Sequence, residues 1–216
     1  MSRIVAGPFN RVEGDLEITL ETGEDKVQRA EVNSPLYRGF ERILLGHKPM
    51  DALVYTPRIC GICSVTQSVA SARALADAMG LSMPKNGELC TNLVLASENI
   101  TDLITHFYLF FMPDFARDTY AGASWFGDIQ GRFKATAGSA ATQMLPARAD
   151  FLHLMGLMAG KWPHTLSLQP GGVAKAIEPK ERMRLLAIVA GFKRFLESTL
   201  FGDSLTTISQ LKSEAE

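Results

Sequence analysis

Polar and apolar residues alternate from position 16 to 21, with Leu16, Ile18 and Leu20 set against Glu17, Thr19 and Glu21. A period of two predicts a half-buried strand. TGEDK supplies a turn, and Val27, Ala30 and Val32 continue as a weaker second strand. Residues 3–35 therefore read as β structure built on an antiparallel hairpin. Beyond them the period lengthens. A short helix is expected over 37–45, closed by Gly46, and residues 46–59 connect irregularly through Pro49 and Pro57. From Ser64 a second helix is predicted, with Val65, Val69, Ala72, Leu75, Ala76 and Met79 at helical spacing. Ser64 or Thr66 is suited to cap it and Gly80 to end it. The longest helical stretch covers 87–112 and should stop at Pro113. Residues 114–147 are Gly- and Ala-rich with no clean period, which predicts loops and short helices. A Met-rich helix is expected at 148–160, with Leu152, Met155 and Met158 on one side. A Pro- and Gly-containing loop at 161–173 should approach something closely. The helix from Pro179 to about 200 has Leu185, Ile188, Val189, Phe192, Phe195 and Leu196 as its apolar face. The fold class is thus α+β and mainly α-helical: a helix bundle with a small N-terminal antiparallel sheet. The β region is assigned to 1–35 and the helical region to 36–216.

Composition narrows the function. With 216 residues and a net charge of −1, the chain can build a sizeable core and offers no basic surface for nucleic acid. Its three cysteines do not make a disulfide framework, which points to a reducing, cytoplasmic setting. MSRIVAGPFNRVEG has no apolar core of signal-peptide length. The most apolar stretch, 93–112, carries Glu98, Asn99, Asp102 and His106, so it reads as a buried helix and not a membrane span. The last residues, LTTISQLKSEAE, hold no helix stop signal, and the expectation is a truncated chain.

The candidate chemistry centres on PRICGICSVTQ (57–67), where Cys60 and Cys63 precede a helix. Helix N-termini favour thiolates, and two thiolates on one loop can bind a soft metal or exchange disulfides. A redox dithiol usually sits in a βαβ setting, and a structural zinc site needs four ligands. A metal site completed from outside this chain, or two buried thiols, complete the possibilities. Glu13 in NRVEGD reads most simply as a turn carboxylate, and Glu41, between Arg38 and Arg42, as a surface ion pair. Asn99, Asp102, His106 and Phe110 share one side of the long helix, and Asp102 and His106 suit a hydrogen-bonded core pair. Cys90, beside Leu89 and Leu93, reads as a core thiol.

These residues resemble a known family. RICGIC before a long helix is similar to the N-terminal cysteine motif of [NiFe]-hydrogenase large subunits. NRVEGDLEI, LYRGFERILLG, DLITHFYLFFMPD and PHTLSLQPGGV resemble four further elements of that family, in family order. The resemblance implies that Cys60 is a terminal nickel ligand and that Cys63 bridges nickel to an iron carrying CO and cyanide. It also implies Glu13 as the proton relay, Glu41 as a Mg²⁺ ligand, and Asp102 and His106 as hydrogen-bonding residues around the centre. The implied reaction is heterolytic splitting of H₂ into hydride and proton, with electrons leaving through an iron–sulfur small subunit.

Departures from the family pattern sharpen this. Gln67 stands where the family usually has histidine, and Asp15 where it has another histidine. Gln67, Ile62 and Phe110 are similar to the regulatory, H₂-sensing branch, which signals to a histidine kinase and turns over slowly. Bulkier Ile62 and Phe110 would narrow a gas channel and slow O₂ entry. The family's two further cysteines and remaining magnesium ligands are missing, which puts metal occupancy of this chain alone in question. Other readings are a catalytic uptake hydrogenase, or a non-catalytic scaffold related to the quinone-site subunit of respiratory complex I, which lacks the cysteines. The resemblance also implies exposed apolar surface on the isolated chain.

Overall fold

The computed structural model describes residues 2–9 and 15–213, with Glu41 described by its backbone only. Glu13 therefore lies outside the described residues, as does the side chain of Glu41. The chain separates into two compact units, Met1–Leu45 and Gly46–Glu216.

The first unit is a meander of three strands, β1 (Ser2–Phe9), β2 (Leu16–Gly23) and β3 (Lys26–Asn33), paired antiparallel in sequence order. β2 and β3 are the expected hairpin, in register from Glu17 opposite Asn33 to Gly23 opposite Lys26. β1 adds an edge that the alternation does not announce, since Arg3, Ile4, Val5 and Ala6 lack a period of two. No residue of the three strands is buried, and Val32 is 70% exposed. The helix expected over 37–45 shrinks to a single turn, α1 (Phe40–Ile43), entered through left-handed Gly39.

The second unit carries the helices. α2 (Ala52–Tyr55) and flanking 3₁₀ turns at Pro49–Asp51 and Thr56–Arg58 order the stretch expected to be irregular. α3 (Ser64–Ala78) buries Val65, Val69, Ala72 and Leu75, as steps of three and four along a helix require. Met79, by contrast, is 53% exposed. The helix ends as predicted at Gly80, at φ 66, where the Leu81 N–H reaches back to the Ala76 carbonyl.

α4 (Lys85–Thr105) is continued by a π turn over His106–Phe111 and by α5 (Met112–Phe115). Pro113 does not stop this rod. It enters within the first two residues of α5, where its missing N–H costs little. α6 (Phe126–Phe133) follows, then α7 (Ala140–Ala159), which begins about two turns earlier than expected and carries Pro146 inside. A small hairpin, β4 (Leu168–Gln169) with β5 (Gly172–Val173), leads to α8 (Pro179–Phe195), a second π turn at Leu196–Phe201 and α9 (Leu205–Gln210).

Leu53, Ala72 and Leu75 pack α2 on α3, and two larger apolar clusters hold the other elements together. Val65, Val69, Val94, Met155, Met158 and Leu168 join α3, α4, α7 and β4. Ile104, Tyr108, Phe133, Met144, Phe151, Leu154 and Phe192 join α4 and its π turn to α6, α7 and α8. Met155 and Val65 are fully buried in the first cluster, directly behind the cysteine helix. Among the described residues no helix is long and apolar enough to cross a membrane.

Candidate metal centre

All three cysteines are free, with Cys60 buried and Cys63 half-buried. The loop between them turns so that the Cys63 N–H faces the Cys60 sulfur at 3.4 Å, which sets both thiols on one side of a short segment. Gln67, one turn into α3, brings its amide nitrogen to 3.8 Å from the Cys63 sulfur. Cys90 packs at the edge of the cluster behind α3.

Cys63 is shifted against the direction that a helix N-terminus favours. Burial and a hydrogen bond with Cys60 push this thiol up to about 11, the charges of Cys60 and Glu98 add to the rise, and only Gln67 opposes it. Burial is the main cause, and the N-terminus of α3 is in addition occupied by another side chain. Cys63 is the cap residue, and no α3 side chain caps the helix in the expected manner. Glu98 of α4 does so instead. Its Oε2 accepts the Val65 N–H at 2.9 Å and its Oε1 the Thr66 N–H at 3.0 Å. The hydroxyls of Ser64 and Thr66 add longer bonds of 3.3 Å, and the indole N–H of Trp162 adds one of 2.9 Å. Glu98 is 2% exposed.

Residues 161–173 do approach something closely: the cysteine loop itself. His164, at φ 63, donates its backbone N–H to the Ser64 hydroxyl at 3.2 Å, and its Nδ1 lies 2.9 Å from the carbonyl of buried Pro57. A carbonyl only accepts, so Nδ1 carries the proton. The loop is thereby held just before Cys60 and just after Cys63. Thr165 anchors the segment from beneath with a 2.6 Å bond to the Ala159 carbonyl, and the Arg148 guanidinium lies 5.4 Å over the Trp162 ring.

The long helix meets this site, but not through the stripe expected to carry it. Asn99, Asp102, His106 and Phe110 are all exposed. Asp102 and His106 are thus not a core pair, and the His106 ring stacks on Phe110 with centroids 6.0 Å apart. The inward face of α4 mixes apolar Val94 and Ile104 with polar residues: Thr91, Ser97, Glu98 and Thr101 are buried. Ser97 and Thr101 satisfy their hydroxyls on carbonyls one turn back, at 2.8 and 2.6 Å, and Glu98 is satisfied by α3. Hydropathy alone could not rank that face as buried. Ile62 and Phe110 are each 37% exposed, and neither lines the open apolar groove of about 1300 Å³ that runs between α4, α7 and α8.

Among the described residues no group of three or more Cys, His, Asp or Glu is poised around one metal position. Cys60 and Cys63 fit two thiolate donors of a soft-metal site, since they are uncrosslinked, adjacent and on a rigidly held loop. They do not complete a four-ligand site by themselves.

Residues 38–122 match the family described as nickel-dependent hydrogenase. The chain is 30% identical over 190 residues to the periplasmic [NiFeSe] hydrogenase large subunit of Desulfomicrobium baculatum, covering 80% of this chain and 36% of that protein. It is 28% identical over 224 residues to the hydrogenase-2 large chain of Escherichia coli K12, covering 81% of this chain and 40% of that one. In three dimensions it is similar to the Ni-Fe-Se hydrogenase from Desulfovibrio vulgaris Hildenborough, with a TM-score of 0.71 and 28% identity over 92% of this chain and 43% of that chain. The chain thus spans less than half the length of these relatives, and over nearly all of itself it has the hydrogenase large-subunit fold.

Proposed function

We propose that this chain, a relative of the nickel-dependent hydrogenase large subunits, supplies two of the thiolates that hold a nickel–iron centre and so takes part in the heterolytic splitting of H₂. The observation that carries this is the pair of free, adjacent sulfurs of Cys60 and Cys63, 3.4 Å from Cys63 nitrogen to Cys60 sulfur, inside the span that matches the family. When bound, the centre polarises H₂ so that a base can remove a proton, and CO and cyanide keep its iron electron-rich. The protein's part is to hold the sulfurs, to shield them and to supply that base. Glu13 is proposed for this role, with Glu41 binding Mg²⁺ and Asp102 and His106 hydrogen-bonding around the centre. The remaining ligands come from residues outside those described. Electrons leave through an iron–sulfur small subunit, as the large-subunit character of the relatives suggests. The complex I-type scaffold reading is disfavoured by the cysteines themselves.

Within this family we place the chain in the H₂-sensing branch, signalling to a histidine kinase. The support is the Gln67 amide held against the Cys63 sulfur, together with Ile62 and Phe110. The test is elemental analysis of the full-length complex. Nickel and iron should bind in wild type and be lost in Cys60→Ser and Cys63→Ser, with H/D exchange lost in parallel. Glu13→Gln should suppress exchange with the metals retained. Metal-free wild-type complex would refute the assignment, and fast turnover with no effect on any kinase would replace the sensor by an uptake enzyme.

A further inference from the structure

The buried carboxylate of Glu98 is not used by the chemistry proposed above, yet it is the most heavily bonded side chain near the cysteines. Two backbone N–H groups, the Trp162 indole and the hydroxyls of Ser64 and Thr66 converge on it. Every one of these is a donor, and a carboxylate, which only accepts, serves them together. The two amides are first-turn N–H groups that a helix cannot satisfy internally. They belong to Val65 and Thr66, immediately beyond Cys63 and Ser64. The indole belongs to the segment whose His164 grips Pro57 and Ser64. One side chain from α4 therefore ties the exit of the cysteine loop to the segment that also holds its entrance.

We propose that Glu98 is the positioning residue of the cysteine pair, fixing where Cys63 presents its sulfur by holding the first turn of α3 and Trp162 on a single carboxylate. The consequence for a metal rests on the role proposed above for Cys60 and Cys63; the clamp itself does not. Glu98→Gln is the informative change because it keeps the shape. Whichever way the new amide turns, its NH₂ group points at a backbone N–H, of Thr66 alone or of Val65 together with the Trp162 indole, so at least one bond is exchanged for a donor–donor clash.

The experiment uses the full-length complex. Nickel and iron content are measured first, then nickel-edge X-ray absorption, which reads the sulfur shell. Amide exchange at Val65 and Thr66 and the alkylation rate of Cys63 are followed in metal-free protein. In Glu98→Gln the absorption should change at unchanged metal content, and both exchange and alkylation should accelerate on the order of tenfold, for a loss of roughly one hydrogen bond. A wild-type spectrum at full loading would overturn the proposal, leaving Glu98 as a helix cap with no bearing on the sulfurs. If Glu98→Gln does not fold, Trp162→Phe decides, because it removes one donor and keeps the ring under Arg148. A smaller change in the same direction supports the proposal and an unchanged spectrum overturns it. If wild type itself binds no nickel or iron, the metal assignment fails separately. Exchange and alkylation then judge the clamp alone: faster in Glu98→Gln supports it, and unchanged overturns it.

Discussion

Replacing His164 with alanine should loosen the entrance to the cysteine loop by a calculable amount. The ring donates to the Pro57 carbonyl at 2.9 Å, and Pro57 is buried. Truncation removes that bond, worth about 1 kcal/mol, and leaves a buried carbonyl without this donor, which adds about another 1 kcal/mol. The backbone at His164 stays at φ 63 in either case, held by its N–H bond to Ser64, so no relief of left-handed strain offsets the loss. A cost of about 2 kcal/mol in a chain of this size lowers Tm by about 4–8 °C. Leu166→Ala is the matched control: two residues along, 49% exposed and expected to stay within about 0.5 kcal/mol. The local assay is alkylation of Cys60, 9% exposed in the folded chain, which should accelerate on the order of tenfold in His164→Ala only. If thermal unfolding shows the two variants equally stable, or Cys60 reacts no faster, the clamp carries none of the energy assigned to it.

Three further outcomes are expected. Met155→Ala, at a fully buried position behind α3, should destabilise by about 2–5 kcal/mol in denaturant unfolding, while Met183→Ala, 69% exposed on α8, should change stability by less than about 0.5 kcal/mol. The Tyr108 hydroxyl is buried without a hydrogen-bond partner among the described residues, so Tyr108→Phe should be neutral or stabilising by up to about 1 kcal/mol. Burial also raises Tyr108 above its ordinary value of 10.0, against a weaker opposing pull from Arg132. A raised value means that the folded chain keeps the proton longer, so this contribution is complete below pH 10 and lost as pH climbs past it, and unfolding of Tyr108→Phe should lack that alkaline loss. On the sensor reading proposed above, Ile62→Val with Phe110→Leu in the complete complex should leave H₂ activation nearly intact and introduce O₂ inactivation, measured by H₂ oxidation before and after air exposure; equal air tolerance would remove Ile62 and Phe110 from the support for that reading.

What could be read from the chain follows from which interactions are local. The β2–β3 hairpin, the Gly80 stop of α3 and the Pro179 start of α8 each depend on a few consecutive residues, and each appears where the pattern puts it. The failures share a different cause. β1 forms because β2 offers it a partner, and α7 runs through Pro146 because Ala140 and Met144 are drawn into the core. The rod from α4 to α5 passes Pro113 through a π turn that no spacing of apolar residues reveals.

The same distinction governs the site. Cys60, Cys63 and Gln67 were legible because one loop and one helical turn bring them together. Glu98, Trp162 and His164 were not, because their partners lie 33, 64 and 107 residues away in sequence. A signal was present nonetheless: an acidic residue in the most apolar stretch of the chain must be either exposed or satisfied. Reading α4 by its Asn99–Asp102–His106–Phe110 stripe selected the face that this chain leaves open. That face and the α4–α8 groove leave Leu103 68% and Leu186 53% exposed. The two faces of α4 therefore divide the work. Glu98 binds inward to the cysteine helix, whereas Asp102 and His106, one and two turns further on, stand on the exposed side.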